Sequence, residues 1–289
     1  MNITIARIAE RLSSDDDAEQ NVGLNELNRL SEDGCVGSDV ADAVVELLCQ
    51  ILREPSPLPN AASYRQLACG LLPRFLSKKS YAGADLRGAH LRALDLENGS
   101  LPGVDLTAAS IIGSCIEATD LTGARLSGAK IHATSLNGCD FSGANLTRMQ
   151  ATENVPLERA VLTGANLTGA NLSNAHMNDI VAPGAVFVGA DLSHADLSGA
   201  VLRGASLVDS NLSRAELYPS GATDTPPDLR GANLTGANLA YAKLLNVDLR
   251  GANLTGADFT DAELKDVQLQ GAILASTIMD RRVTVGCQF

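Results

Sequence analysis

Residues 157–177 read LERAVLTGANLTGANLSNAHM, and an apolar side chain returns in them every fifth position, at Leu157, Leu162, Leu167, Leu172 and Met177. A small side chain stands two places earlier, at Ala160, Ala165, Ala170 and Ala175. A period of five fits neither the 3.6 of a helix nor the 2 of a strand. A helix would scatter these leucines around its circumference, and a strand would send alternate ones to opposite faces. The period works if each pentad is one side of a coil and the chain turns after each side. The small and the large apolar residue then both point inward, and the other three point out. Four sides close one coil of about twenty residues, and coils stack at about 4.8 Å, like residue over like.

The pattern extends both ways. Upstream it runs without a slip from Leu86 through Leu91, Leu96, Leu101, Leu106, Ile111, Ile116, Leu121, Leu126, Ile131, Leu136 and Phe141 to Leu146. The phase then slips by one residue in QATENVP, resumes at Leu157 and runs to Leu217. A second slip, of two residues, falls in YPSGATDTPP, after which Leu229 to Leu274 keep phase and Met279 is a degenerate end. Allowing a disrupted pentad in each slip, about 39 pentads fit, nearly ten coils, or a rod roughly 45 Å long. Gly, as at Gly123 and Gly169, recurs where the chain turns and a side chain would crowd the bend. The Asp or Asn before the Leu, as at Asp85, Asn145, Asn166 and Asp191, can bond neighbouring backbone at that bend.

The recurring Ala-Asp/Asn-Leu triplet, at 84–86, 144–146, 165–167, 170–172, 190–192, 195–197, 232–234, 237–239 and 252–254, resembles the pentapeptide-repeat family. The resemblance covers about two thirds of the chain. It implies an all-β solenoid, a right-handed quadrilateral β-helix. Most members of that family have no known activity. One branch consists of acidic, DNA-mimicking rods, dimeric through a C-terminal segment, that protect DNA gyrase or topoisomerase IV from quinolones and similar poisons, and some of them carry projecting loops. Those short proteins generally lack a long N-terminal region, and this chain has one.

Residues 1–80 follow a different pattern. Helices are expected at 3–12, with Ile5, Ile8 and Leu12 at helical spacing; at 18–31, with Leu24, Leu27 and Leu30; at 39–53 after Ser38; and at 61–77, where Pro73 should kink or split the helix. PSPLP at 55–59 is a linker or tight turn. The chain therefore divides into an α-helical N-terminal cap or docking module (1–80), the repeat region (81–281, interrupted near 147–156 and 218–228) and a C-terminal tail or dimerisation segment (282–289).

Composition narrows the function. Net charge is −12, which disfavours direct nucleic-acid binding. Residues 1–80 carry 12 acidic and 8 basic side chains, and residues 81–289 carry 22 and 14. Aromatics are 3% of the chain and Trp is absent, so small and medium side chains must fill the interior. No apolar run is long enough for a membrane span and no signal-peptide pattern opens the chain, so a cytoplasmic protein without membrane partners is expected.

The six cysteines show no CxxC pairing and His90, His132, His176 and His194 no metal spacing. No cofactor, metal or catalytic residue is expected, because a solid-cored rod offers no cleft to desolvate one of a pair of carboxylates. The candidate interaction residues lie at the breaks: Met149, Gln150, Glu153 and Asn154 in the first, Tyr218 and Asp224 in the second. Each break is either a tolerated bulge or a recognition loop. Met279, Val283, Val285 and Phe289 cap the last coil or pair with another copy. The expected function is a non-catalytic interaction or scaffold protein presenting an acidic solenoid, its protein partner unknown. The alternative is a DNA mimic that binds a type II topoisomerase and protects it from inhibitors.

Overall fold

The computed structural model describes residues 3–12, 14, 16–32, 38–53, 61–76, 83–152, 154–222, 224–279 and 284–288. Four helices come first: α1 (Ile3–Leu12), α2 (Asp17–Glu32), α3 (Ser38–Arg53) and α4 (Ala61–Leu76). Their apolar stripes meet, and Ile8, Leu24, Leu27, Val44, Leu48, Leu52, Leu72 and Phe75 are fully buried. The expected break at Pro73 does not divide α4, which continues to Leu76. Pro73 sits in the last turn, where the missing N–H removes one helical bond near an end that frays anyway.

From residue 83 onward the described residues form, apart from one insertion, a right-handed four-sided solenoid. Short strands mark its flattest stretches: β1 (His90–Arg92), β2 (Ser110–Ile112), β3 (Lys130–His132), β4 (Gln150–Thr152), β5 (Glu216–Leu217), β6 (Lys243–Leu245), β7 (Asp258–Phe259), β8 (Glu263–Lys265), β9 (Ile278–Met279) and β10 (Thr284–Val285). All pairings are parallel, as stacked coils require. We number the sides by their first rung: side 1 from Asp85, side 2 from His90, side 3 from Asp95 and side 4 from Ser100. Side 1 climbs through Asp85, Asp105, Arg125, Asn145, Asn166, Val186, Ser206, Asn233, Asn253 and Ile273. That is ten rungs, a rod roughly 45 Å long at the strand spacing.

The interior matches the pentad reading. Leu167, Leu192 and Leu254 are buried, as are the small partners Ala165, Ala190 and Ala252. Burying each such Leu contributes about 1.5–3 kcal/mol. The size order reverses at two places: Met149 takes the small inward position and Ala151 the large one, and Ile180 and Ala182 do the same, all four buried. The large and small side chains exchange places, so the volume of the layer is kept. Corners need a left-handed residue. Gly164 supplies it at φ +64, and Asp179 (φ +59) and His194 (φ +58) adopt it without being glycine. The Asn before the Leu closes the bend: Asn166 Oδ1 accepts from the Thr168 N–H at 3.0 Å and from its hydroxyl at 2.7 Å.

Most corners are also tied by a backbone bond, such as Ala89 N–H to Leu86 O at 3.1 Å. After β1 and β2 side-chain hydroxyls from the next coil serve instead. The Leu94 N–H donates to Ser114 Oγ at 3.1 Å and the Ser114 N–H to Thr134 Oγ1 at 3.2 Å. These hydroxyls explain two polar residues in the core.

The two phase slips have different sizes. Rungs stand 20 residues apart up to Lys130↔Gln150, 21 apart from Asp140↔Val161 to Gln150↔Asn171, and 20 apart again from Pro156↔His176. The first break is thus a single extra residue at the corner after β4. At the second break the spacing becomes 27, from Val201↔Asp228 to Glu216↔Lys243. The slip of two is a seven-residue insertion, which leaves the coil between sides 3 and 4.

Both ends are distinct. α3 and α4 lie against β1, and Arg53 of α3 pairs with Asp85 of the first coil. Helices and solenoid share one buried core. At the other end β10 pairs with β8, and Gln288 bridges Gln268, so part of the expected tail forms a further rung. Ala272, Leu274 and Met279 there are only partly buried. Among the described residues no helix is long and apolar enough to cross a membrane.

Candidate interaction surface

The coil register assigns every outward side chain to a side. Side 3 and its following corner carry Asp95, Glu97, Glu117, Glu158, Asp179, Asp196, Glu216, Glu263 and Asp266, against Arg159, Lys243 and Lys265. Nine acids less three bases give −6 among the described residues. Side 1 balances Asp85, Asp105 and Asp209 with Arg87, Arg125 and Arg148. Side 2 balances Asp191, Asp258 and Asp261 with Arg92, Lys130 and Arg214. Side 4 sets Asp120, Asp140, Asp228 and Asp248 against Arg203, Arg230 and Arg250. The negative charge of the solenoid is therefore gathered on one side. Along the same length DNA carries one charge per about 1.7 Å, several times more.

Side 3 keeps most of its charge facing water. Lys243 Nζ meets Glu216 Oε1 at 3.1 Å, and that hydrogen bond, with the nearby Tyr218, raises the lysine's pKa. Ser135 Oγ donates to Glu117 at 2.5 Å. Side 4 is the opposite case, a ladder of paired charges. Arg230 Nη2 donates to Asp228 Oδ2 at 2.8 Å, Arg203 donates to the same carboxylate, and Arg250 Nη2 holds Asp248 at 2.7 Å. Burial pushes the Asp228 carboxyl up, but hydrogen bonds from Arg230 and Arg203 outweigh it and leave it at about 2.

Both interruptions of the repeat border side 3, on opposite edges. At the first, Met149 is buried in the shaft and offers no surface to a partner. Gln150 is half-buried in β4, with its amide donating to Arg148 O at 3.1 Å. Asn154 is exposed at the corner, and Glu153 lies outside the described residues. At the second, Tyr218 is half-buried on side 3 and Asp224 is exposed in the insertion. The insertion is internally tied: the Ser220 N–H donates to Thr225 O and the Asp224 N–H to Ser220 O, both at 2.8 Å. Ser220 itself is 4% exposed, and its hydroxyl donates to Asp179 Oδ2 at 2.9 Å. Sequence reasoning missed Ser220 because nothing local marks a contact 41 residues away. Of the C-terminal candidates, Met279 is half-buried in β9 and Val285 lies in β10, while Val283 and Phe289 are outside the described residues.

Two cavities are formed by the described residues. One void of about 10 Å³ inside the first coils is lined by leucines and isoleucines. An open groove of about 350 Å³ between α2 and α4 is lined by Asn28, Gln66, Leu67, Gly70, Leu71 and Arg74, with no carboxylate, imidazole or thiol. Donor atoms of Asp95, Glu97 and Cys115 lie within 4.8 Å of one another on side 3. Two hard oxygens and one soft sulfur on an open surface are a mismatched donor set. Cys139 and Cys49 are buried, which pushes both thiols up to about 12 and keeps them from acting as nucleophiles.

A family model described as pentapeptide repeats matches in eight copies over residues 84–123, 124–148, 154–179, 184–218, 228–256 and 246–275. HetL, a pentapeptide repeat protein involved in heterocyst differentiation regulation from the cyanobacterium Nostoc sp. strain PCC 7120, is 31% identical. The match covers 73% of this chain and 96% of HetL, with a TM-score of 0.32. A trypsin-treated form of QnrB1, a plasmid-mediated fluoroquinolone resistance protein, is 20% identical over 73% of this chain and 91% of its own, with a TM-score of 0.33. A pentapeptide repeat protein of the Arabidopsis thaliana thylakoid lumen is 36% identical over 44% of this chain and 66% of its own, with a TM-score of 0.19. No curated protein matches the chain.

Proposed function

The chain belongs to the pentapeptide-repeat family, and on that premise we propose that it acts without catalysis, as a solenoid whose acidic side 3 docks a cationic surface of another protein. One observation carries this reading: among the described residues nine carboxylates and three cations stand along side 3, while sides 1 and 2 are balanced. A one-signed stripe on a rigid rod attracts a cationic partner over a Debye length and orients it on approach. The test is capture from the native cell by the wild type and by a variant with Glu117→Gln, Glu158→Gln, Asp196→Asn and Glu263→Gln. Partners specific to side 3 are lost in the variant and eluted by salt. Equal capture by both proteins removes side 3 from the reading.

The gathered charge also favours a finer reading, in which the partner is a DNA-binding enzyme and the rod occupies the path of the duplex. A type II topoisomerase is such an enzyme, and relief from drug poisoning would be the consequence. The low charge density compared with DNA predicts binding weaker than duplex binding, with a shallower salt dependence. A cleavage-complex assay with purified gyrase and topoisomerase IV, with a quinolone present, decides it. No change in cleaved DNA at micromolar protein rejects the topoisomerase and leaves the general docking reading to the capture experiment.

A further inference from the structure

We infer that Asp179 and Ser220 form a clasp, with Asp179 the positioning residue that holds the insertion at 220–226 as a fixed ridge beside side 3. Rungs in the solenoid contact the coil directly above or below. The Ser220 hydroxyl reaches further. It crosses a whole coil to donate to Asp179 Oδ2 at 2.9 Å. The residue crossed is Gly199, itself buried. A Cβ there would overlap Asp179 Oδ1 and lie 2.7 Å from Ser220 Cβ, so only glycine leaves the passage open. Gly199 is also at φ +67, where glycine is the unstrained residue.

The clasp organises the insertion from one point. Ser220 accepts from the Asp224 N–H on its carbonyl and from the Ala222 N–H on its hydroxyl, at 2.8 and 3.3 Å, and its own N–H donates to Thr225 O. Pro219, Pro226 and Pro227 remove backbone freedom at both ends. With Ser220 anchored to Asp179, Asp224 and Thr225, which are bonded to Ser220, have one place to sit, and the exposed Asp224 is held along the edge of side 3. A segment held this way meets a partner without an ordering cost. The clasp is indifferent to the identity of that partner, so its test needs none.

Amide hydrogen exchange at Ser220, Ala222 and Asp224 reads the clasp, with Leu197 and Val201 in the coil beneath as controls, since their N–H groups bond Glu216 O and Ile180 O. Asp179→Gly removes the acceptor while suiting the positive φ at that position. It is expected to speed exchange in the insertion about tenfold and leave the two control amides unchanged. At Ser220 and Asp224, Ser220→Ala is expected to act alike, the double variant no more than either single one; Ala222 also loses its own acceptor in Ser220→Ala. Asp179→Asn keeps an oxygen acceptor and should stay within about twofold of wild type. Unchanged exchange at Ser220 and Asp224 in Asp179→Gly overturns the clasp. So does an equal rise at Leu197 and Val201, which would mean that Asp179 supports the coil and not the insertion.

Discussion

Phe187→Ala in the middle of the rod tests the inward shaft. Phe187 is fully buried, one of the few large rings in the interior, stacked between Leu167 and Leu207 of the adjoining coils. Truncating it removes the ring and leaves a void that the neighbouring backbone cannot close, because each coil is fixed by bonds above and below. The Phe187 N–H donates to Ser206 O at 2.6 Å and the Leu167 N–H to Val186 O at 2.7 Å. Buried Phe→Ala changes cost about 3–5 kcal/mol, and a site that cannot collapse belongs at the upper end. A stacked array adds a second consequence: weakening a central coil uncouples the two halves, whereas weakening an end coil frays only the end. Leu274→Ala, in the partly buried last coils, is therefore the matched control, with a cost of about 1 kcal/mol. Urea unfolding followed by circular dichroism gives both numbers, and hydrogen exchange locates the opening. A Phe187→Ala cost below about 1 kcal/mol, or one equal to that of Leu274→Ala, would refute the inward shaft.

Acid should weaken the rod in a narrow range. The Arg87 hydrogen bond is the main cause that brings the Asp85 carboxyl down to about 2, and Asp228 stands at about 2 as well. Depressed carboxyls contribute stability that is whole above the unfolded value near 4 and is lost as pH falls toward 2. Melting across pH 5 to 2 should show this decline, and Asp228→Asn should reduce it. Arg53→Ala removes the charge pair between α3 and the first coil, at a cost of about 1 kcal/mol or less because both side chains are partly exposed. It should speed exchange in α3 and α4 and leave the amides of side 1 beyond Asn145 unchanged. A thiol reagent at pH 8 should label half-exposed Cys115 well before Cys139 and Cys49, and simultaneous labelling would contradict their burial.

Leu86 to Leu274 announce the coil in the sequence because a five-residue period is a local property. Each pentad repeats the same choice of small, large and turning residue, so no distant information is needed to see which side chains point inward. The helices of the first eighty residues were legible for the same reason, except that Pro73 proved compatible with an unbroken α4. Met149 is not legible in the sequence as a shaft residue, because its phase signal, a large side chain in a small slot, makes sense only beside Ala151 in three dimensions.

The gathering of charge could not be read from the chain. Phase within a pentad is known only modulo five, so an insertion of two and one of seven look identical. Which side a residue occupies depends on position modulo twenty, and the pentad hidden in the seven residues 220–226, beyond the apparent slip of two, moves every later residue by one side. Only the closed coil, with Val201 facing Asp228 and Glu216 facing Lys243, places Glu263 and Asp266 on the same side as Asp95 and Glu117. The chain by itself determined what is inside. Stacking of successive coils, a long-range hydrogen-bonding event, decided which charges share a face and which distant hydroxyl anchors the insertion.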